Sequence, residues 1–497
     1  MVTKPDLGKQ PGKTRPSTAR AGVWSAIEVL ARQGILFLVS IILARLLAPQ
    51  DFGIIALLAL FTSLSIVFLQ GGLSIAIIQR QRTTTDEESA IFWWNLAGSI
   101  VFGLAIVLAG PALAAFFHQP VLRQLVLVAA AQLVFAAGGG VHSAILTKEM
   151  RFDLLAKCSL FSSAASGGVA VTAAFMGAGV WALALQIATI ALFNTVALWI
   201  AIDWRPTLHF RFETIRELFG FGAWVSAGNV MEVLYSNGFS FLIGKLHGVR
   251  ALGFYNQASA TQLLPSSALS TIVSRVALPL LASNQDDLEA LRSSLRLAIR
   301  SVMVVNLPAM AGLALLSDLV VTVLFGSRWL PAAPILSILA LGGILFPVHV
   351  INLQLVLARG QTSTFIRIEI TKKGVGIACV LVGSVFGIIG LAWSQVVYSV
   401  LGLLINAGPA RRQLGYGPLR QLSDVTGIAL LTLLMGGAVY FVRTMIFAGP
   451  LVTLAVCTLS GAAFYATLGW LSGSSVFRDP VMLLASIFQT PRVEKGA

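Results

Sequence analysis

Fourteen mostly apolar runs of about 20 residues or more follow one another along the chain, with most of the charge confined to the links between them. They fall near 22–47, 52–78, 90–116, 121–146, 154–177, 180–202, 218–245, 251–281, 293–316, 331–358, 363–388, 389–410, 424–447 and 450–472. A helix of this length satisfies its own backbone hydrogen bonds, which is what crossing a bilayer demands. With 57% hydrophobic and 11% charged residues among 497, a soluble enzyme, a disordered chain and a secreted disulfide scaffold are all excluded. The expected fold class is an all-α polytopic membrane protein. Pro265 inside the eighth run is tolerable in a packed span, and the split between the eleventh and twelfth rests on Gly387 and Gly390.

The net charge of +14 reads as a topology signal, with no need for nucleic acid. With the N-terminus in the cytoplasm, 27 of the 34 Lys and Arg fall on the cytoplasmic side, Arg275, Arg296, Arg300, Arg367, Lys372 and Lys373 among them. Six fall on the other side, including Arg45, Lys245 and Arg443, and Arg32 lies in mid-membrane. An even number of spans, with both termini cytoplasmic, accounts for this asymmetry. The non-cytoplasmic links, the longest near 112–122 and 317–332, have room for a short interfacial helix and not for a catalytic domain, so no enzyme is expected. Cys158, Cys379 and Cys457 each sit in an apolar run without a paired Cys or His, which argues against a metal site or a disulfide. No cofactor is expected.

The chain carries an internal repeat. At an offset of 200 residues Gly22 matches Gly222, Trp24 matches Trp224, Ser40 matches Ser240, Leu46 matches Leu246 and Gly53 matches Gly253, while Arg45 aligns with Lys245. The first and seventh runs cross in the same direction, so the repeat is parallel, with an axis along the membrane normal. The expected organisation is a basic tail (1–20), an N-lobe of six spans (21–203), a cytoplasmic linker (204–217), a C-lobe of six spans (218–412), two further spans (413–473) and a cytoplasmic tail (474–497). Two lobes facing a central cavity suit alternating access.

Ionisable groups inside a span are costly and mark candidate sites. Glu28 and Arg32 share a face of the first span. Glu232, in the seventh, aligns with Arg32 at the repeat offset, so these two charges are expected to approach across the cavity. Arg32, Arg275, Arg296 and Arg300 suit an anionic headgroup, because guanidinium matches phosphate oxygens, and Asn229 and Asn237 suit sugar hydroxyls. Glu28, Glu232 and His349 are candidates for proton or sodium coupling, or for purely structural roles; His142 is equivalent to His349 in the other half. Asn229 and Asn237 also belong, with Asn256, Gln257 and Gln262, to a polar stripe that either lines a cavity or ties helices together.

Several segments resemble the polysaccharide flippases of the Wzx type within the multidrug/oligosaccharidyl-lipid/polysaccharide superfamily. They are ILARLLAPQDFGIIAL at 42–57, GLSIAIIQRQRTTTDEESAIFWWNL at 72–96, TKEMRFDLLAK at 147–157, GVWAL at 179–183, IGKLHGVRALGFYNQA at 243–258 and SRWLPAAPILSILAL at 327–341. The resemblance implies fourteen helices in two lobes and movement of an undecaprenyl-diphosphate-linked oligosaccharide across a bacterial inner membrane. Expected partners are that lipid-linked substrate, membrane lipids, and polysaccharide polymerase and export proteins. The competing reading is a cation-coupled drug antiporter of the same superfamily, with Glu28 and Glu232 as its ion ligands. A third, a membrane polymerase or ligase acting on lipid-linked sugars, lacks both a large loop and an acid/base pair.

Overall fold

A computed structural model of the chain describes residues 18–70, 77–78, 80, 83–208, 212–472 and 477. Among the described residues every regular element is a helix. The first six are α1 (Thr18–Leu46), α2 (Pro49–Gln70), α3 (Thr85–Phe117), α4 (Leu122–Lys148), α5 (Phe152–Phe175) and α6 (Val180–Ala201). Then come α7 (Phe212–Leu246), α8 (Gly248–Ser283), α9 (Leu288–Leu315) and the short α10 (Ser317–Phe325). A 3-10 turn over Ser327–Ala332 leads to α11 (Ala333–Gly343), α12 (Phe346–Ala358), α13 (Thr362–Val385) and α14 (Gly387–Asn406). The short α15 (Gly408–Leu414) and α16 (Pro418–Asp424) precede α17 (Thr426–Met445) and α18 (Pro450–Leu471).

Eleven helical stretches among the described residues are long and apolar enough to cross a membrane. The remaining three expected spans correspond to α7, α8 and α13, which have 35, 36 and 24 residues. The part of α13 near Glu369, Lys372 and Lys373 is too charged to read as apolar. The expected linker ends early, because α7 is already helical from Phe212. Its first residues are pinned to the start of α3: the Thr207 N–H donates to Ser89 Oγ at 2.9 Å, and Trp93 Nε1 donates to the Thr207 carbonyl at 2.8 Å.

The end of the bundle where α1 begins is called the near end below, and the end where α1 gives way to α2 the far end. Helices α1 to α6 pack as one group, through the pairs α3–α4, α5–α6, α4–α6 and α1–α5. Small residues let them approach: a Cβ on Gly167 would stand 2.5 Å from Val39, and one on Gly110 2.8 Å from Val126. Helices α8, α9 and α11 to α14 form a second group, and the α17–α18 hairpin lies against α9 and α10. The groups join where α2 crosses α8. There a Cβ on Gly53 would come within 1.7 Å of the Val249 carbonyl oxygen, and one on Gly253 within 1.9 Å of the Pro49 oxygen. These are the glycines matched at the repeat offset, so the two halves cross at equivalent points, backbone against backbone.

The run 331–358, expected as one span, is broken at Ile344 and Leu345. Pro347 has no N–H to give the Gly343 carbonyl four residues earlier. The Asn306 side chain, from α9, donates to Gly343 O at 3.2 Å and Ile344 O at 2.9 Å, and the Ser399 hydroxyl, from α14, donates to Gly342 O at 2.8 Å. Pro308 within α9 likewise strands the Val304 carbonyl, which accepts the Tyr465 hydroxyl of α18 at 2.9 Å. Each proline is thus served by a side chain from a neighbouring helix, as hydrocarbon surroundings require. The expected split after 388 falls slightly earlier: α13 ends at Val385 and Gly387 turns the chain at φ +76°.

Overpacking a tight helix crossing costs about 1–3 kcal/mol, and here the obstruction is a carbonyl that cannot rotate away. Gly53→Ala and Gly253→Ala should each lower the melting temperature of the purified protein and reduce its yield. Gly437→Ala, where nothing stands within 4 Å of the added Cβ, should leave both unchanged.

Candidate functional site

The two halves are sealed together at the far end. The Arg45 guanidinium, at the end of α1, donates to the carbonyls of Val323 and Leu324, with Nε at 3.0 Å from Leu324 O. Those carbonyls belong to the last turn of α10. The Lys245 ammonium, at the end of α7, donates to the Phe116 carbonyl at 2.7 Å, in the last turn of α3, and lies 4.0 Å over the Phe116 ring. Arg45 and Lys245 are repeat equivalents, and each places a cation on the carbonyl end of a helix from the opposite half. The helix dipole favours that arrangement. Around them Phe241 packs on Phe116 and Phe117, Phe37 on Phe325, and Phe52 on Trp329, whose Nε1 donates to Ala44 O at 2.7 Å. Ser40 and Gln257 hydrogen-bond across the halves at 3.3 Å.

All of these contacts lie within about 14 Å of the far end, counting 1.5 Å per residue back from Leu46 to Phe37. Arg32 sits five residues further along α1, about 7 Å below the seal, and is exposed. Among the described residues no hydrogen bond or ion pair between the halves crosses at or below that level. The candidate site is thus an exposed cation midway along α1, just beneath the seal.

The charges inside the bundle sort differently from the sequence expectation. Arg32 makes no ion pair with Glu28, which is half-buried one turn away. Glu232 does not meet Arg32: its carboxylate pairs with Lys373 of α13 at 3.0 Å. Lys372, beside it, pairs with Glu369 at 2.7 Å. Both lysines, expected on the cytoplasmic side, occupy the middle of α13. Tyr235 of α7 lies one turn above Glu232; its ring centroid is 6.3 Å from that of Tyr398, and its hydroxyl fills the space over Gly376.

Arg296 and Arg300, expected as headgroup ligands, both reach Asp424 at the end of α16, Arg300 at 3.1 Å. The Tyr416 hydroxyl donates to the same carboxylate at 2.9 Å. Burial alone would raise the Asp424 carboxyl, yet hydrogen bonds from Arg296 and Tyr416 and the charges of both arginines hold it below its usual value. The cluster fastens α9 to the segment leading into α17. Asn237 donates to Val233 O of its own helix at 3.1 Å, and His349 lies between α12 and α14, within 3.3 Å of Ser399 Oγ and 3.4 Å of Asn406 Nδ2. Asn229 is half-buried. The Arg275 side chain lies outside the described residues. Asn256 and Gln257 tie helices together, through Ser240 and Ser40. His142 stacks on Trp199 at 5.0 Å in an aromatic cluster with Trp204 and Phe92.

Sequence reasoning did not find the partners Lys373 and Asp424. The signal for Lys373 was its place ten residues inside the run 363–388, well short of the link. An apolar cavity of about 580 Å³ opens between α9 and the α17–α18 hairpin, lined by Val304, Pro308, Gly312, Met435, Gly461 and Tyr465.

A cation on helix-end carbonyls contributes about 0.3–1 kcal/mol. Losing both should shift far-end opening by roughly three- to thirtyfold. In a cysteine-free background carrying Ser40→Cys, an impermeant maleimide added from the far side should label the Arg45→Ala/Lys245→Ala variant faster by that factor. An unchanged rate would remove the two cations from the seal.

The fold is similar to that of the solved "Lipid II flippase MurJ, inward closed conformation", with a TM-score of 0.73, 16% identity and coverage of 92% of this chain and 99% of that one. It is also similar to an inward-facing multidrug resistance MATE family transporter, at TM-score 0.58 and 15% identity, covering 81% of this chain and 98% of that one. Among curated proteins, the teichuronic acid biosynthesis protein TuaB of Bacillus subtilis is 28% identical over 68% of this chain and 71% of its own length. The lipopolysaccharide biosynthesis protein WzxC of Escherichia coli is 25% identical over 79% of this chain and 80% of its own. Residues 42–334, more than half of the chain, match the family described as "Polysaccharide biosynthesis protein", and the chain belongs to that family.

Proposed function

We propose that the protein is a flippase that carries undecaprenyl-diphosphate-linked oligosaccharide units from the cytoplasmic to the periplasmic leaflet of a bacterial inner membrane, for exopolysaccharide, capsule or O-antigen synthesis. The near end of the bundle is the cytoplasmic end, the chain crosses fourteen times with both termini inside, and the conformation described above faces the cytoplasm. The headgroup enters the cleft, the halves rock about the crossing of α2 and α8, and the far-end seal opens to release it. The observation that carries this reading is Arg32, an exposed cation in mid-membrane directly beneath a seal built from repeat-related contacts. A charge at that depth costs about 2.5–3.5 kcal/mol unless a polar ligand or water meets it. The guanidinium fork suits diphosphate oxygens. The isoprenoid tail stays in the apolar surroundings, for which the cavity beside α17 and α18 offers room.

The relatives support this reading over the antiporter: TuaB, WzxC and the succinoglycan biosynthesis transport protein ExoT of Rhizobium meliloti are all named for polysaccharide synthesis. Pairing of Glu232 with Lys373 also occupies the carboxylate that an antiporter would use for its ion.

In a strain lacking the gene, Arg32→Ala should restore surface polysaccharide at least tenfold less well than wild type, with equal protein in the membrane, and Arg32→Lys should restore it partly. Full export by Arg32→Ala would remove the residue from the headgroup site. A deletion strain with altered drug sensitivity and normal polysaccharide would overturn the flippase reading.

A further inference from the structure

The repeat is least symmetric where α1 and α7 meet their neighbours. Helix α1 packs along α5, with Gly167 against Val39, whereas among the described residues α7, its equivalent, makes a smaller contact with α13. That contact is made by the Glu232–Lys373 pair and by Tyr235 lying over Gly376 and beside Tyr398. Two lysines occupy successive positions in mid-helix, Lys372 at 15% and Lys373 at 19% side-chain exposure, each balanced by a single carboxylate. The carboxylate on Lys373 comes from another helix and is 60% exposed. A charged pair so open at that depth calls for water or a polar ligand, because lipid would not tolerate it.

We propose that Lys372 and Lys373 form an anion site for the diphosphate of a lipid-linked headgroup, and that Glu232 occupies the place of a phosphate oxygen while the carrier is empty. This rests on the flippase reading above and adds to it a second set of ligands, on the half opposite Arg32. With Glu232 displaced, Lys372, Lys373 and the remaining Glu369 leave a net positive charge to meet the anion. The exchange is easy, since an exposed carboxylate returns to water and an ion pair with such a partner contributes little. Its consequence is mechanical. Displacing Glu232 undoes one of the few ties between α7 and α13, and α7 carries Lys245 of the far-end seal thirteen residues, about 20 Å, further along. Binding at the lysines thus loosens the helix that holds the far end shut.

The test uses the full-length protein in phosphatidylcholine nanodiscs, with farnesyl diphosphate as the probe and calorimetry as the readout. Lys373→Gln should weaken binding about tenfold, and Lys373→Arg should restore most of it. Glu232→Gln should tighten binding about threefold, because the competing anion is gone. A pair that serves structure alone would give the same direction of change in both Gln variants, and that outcome would overturn the proposal. So would wild-type binding that Lys373→Gln leaves unchanged, no binding by the wild type, or full competition by phosphatidylglycerol in the disc, which would make the site a general one for lipid phosphates. Polysaccharide export in the deletion strain is a separate readout: its failure to depend on the protein would sink the carrier reading even if the lysines bound diphosphate.

Discussion

Two glycines make this architecture possible. Helices α2 and α8 cross so closely that each presents a carbonyl to the other where any larger residue would place its Cβ. In a bilayer, where burial against lipid gives helices no reason to prefer one another, close approach and the dispersion and weak C–H···O contacts it brings do much of the joining. Once the crossing is set, the rest of the far end follows. The first helix of each half is carried over the other half, and its terminal cation meets a helix end that its own half does not supply. The aromatic packing around Trp329 then fills the space between.

The same medium explains how the prolines are treated. Water would satisfy the carbonyls that Pro308 and Pro347 leave free, but inside the bundle only another helix can. Asn306, Ser399 and Tyr465 serve that purpose. The bends in α9 and between α11 and α12 are therefore clamped from outside and serve as fixed shapes rather than loose hinges. Movement then belongs between the halves.

Much of this was legible in the sequence, for reasons particular residues show. Apolar runs have to be helices in lipid, and among the described residues the expected spans fall on helical stretches. The repeat was visible because the crossing constrains Gly53 and Gly253, and the seal constrains Arg45 and Lys245. Pairings between spans far apart in sequence were not legible. Arg32 and Glu232 were expected to meet on symmetry alone, but Lys373 offers Glu232 a nearer partner and breaks the symmetry locally. Arg296 and Arg300 read as headgroup ligands until Asp424, 124 residues beyond Arg300, is seen beside them. His349 and Asn237 are similarly absorbed by neighbours that no spacing announces. The interruption at Ile344 was hidden by the length of the run, although Gly342, Gly343 and Pro347 within it mark the break.

The two cations of the far-end seal are exposed, and both act on partial charges of helix ends rather than on full carboxylates. Such interactions fade within a Debye length, about 10 Å at 0.1 M salt and 30 Å at 0.01 M. The resting balance of the molecule is accordingly tied to the ionic strength of the compartment it faces when open. Low salt tightens the lock and high salt relaxes it.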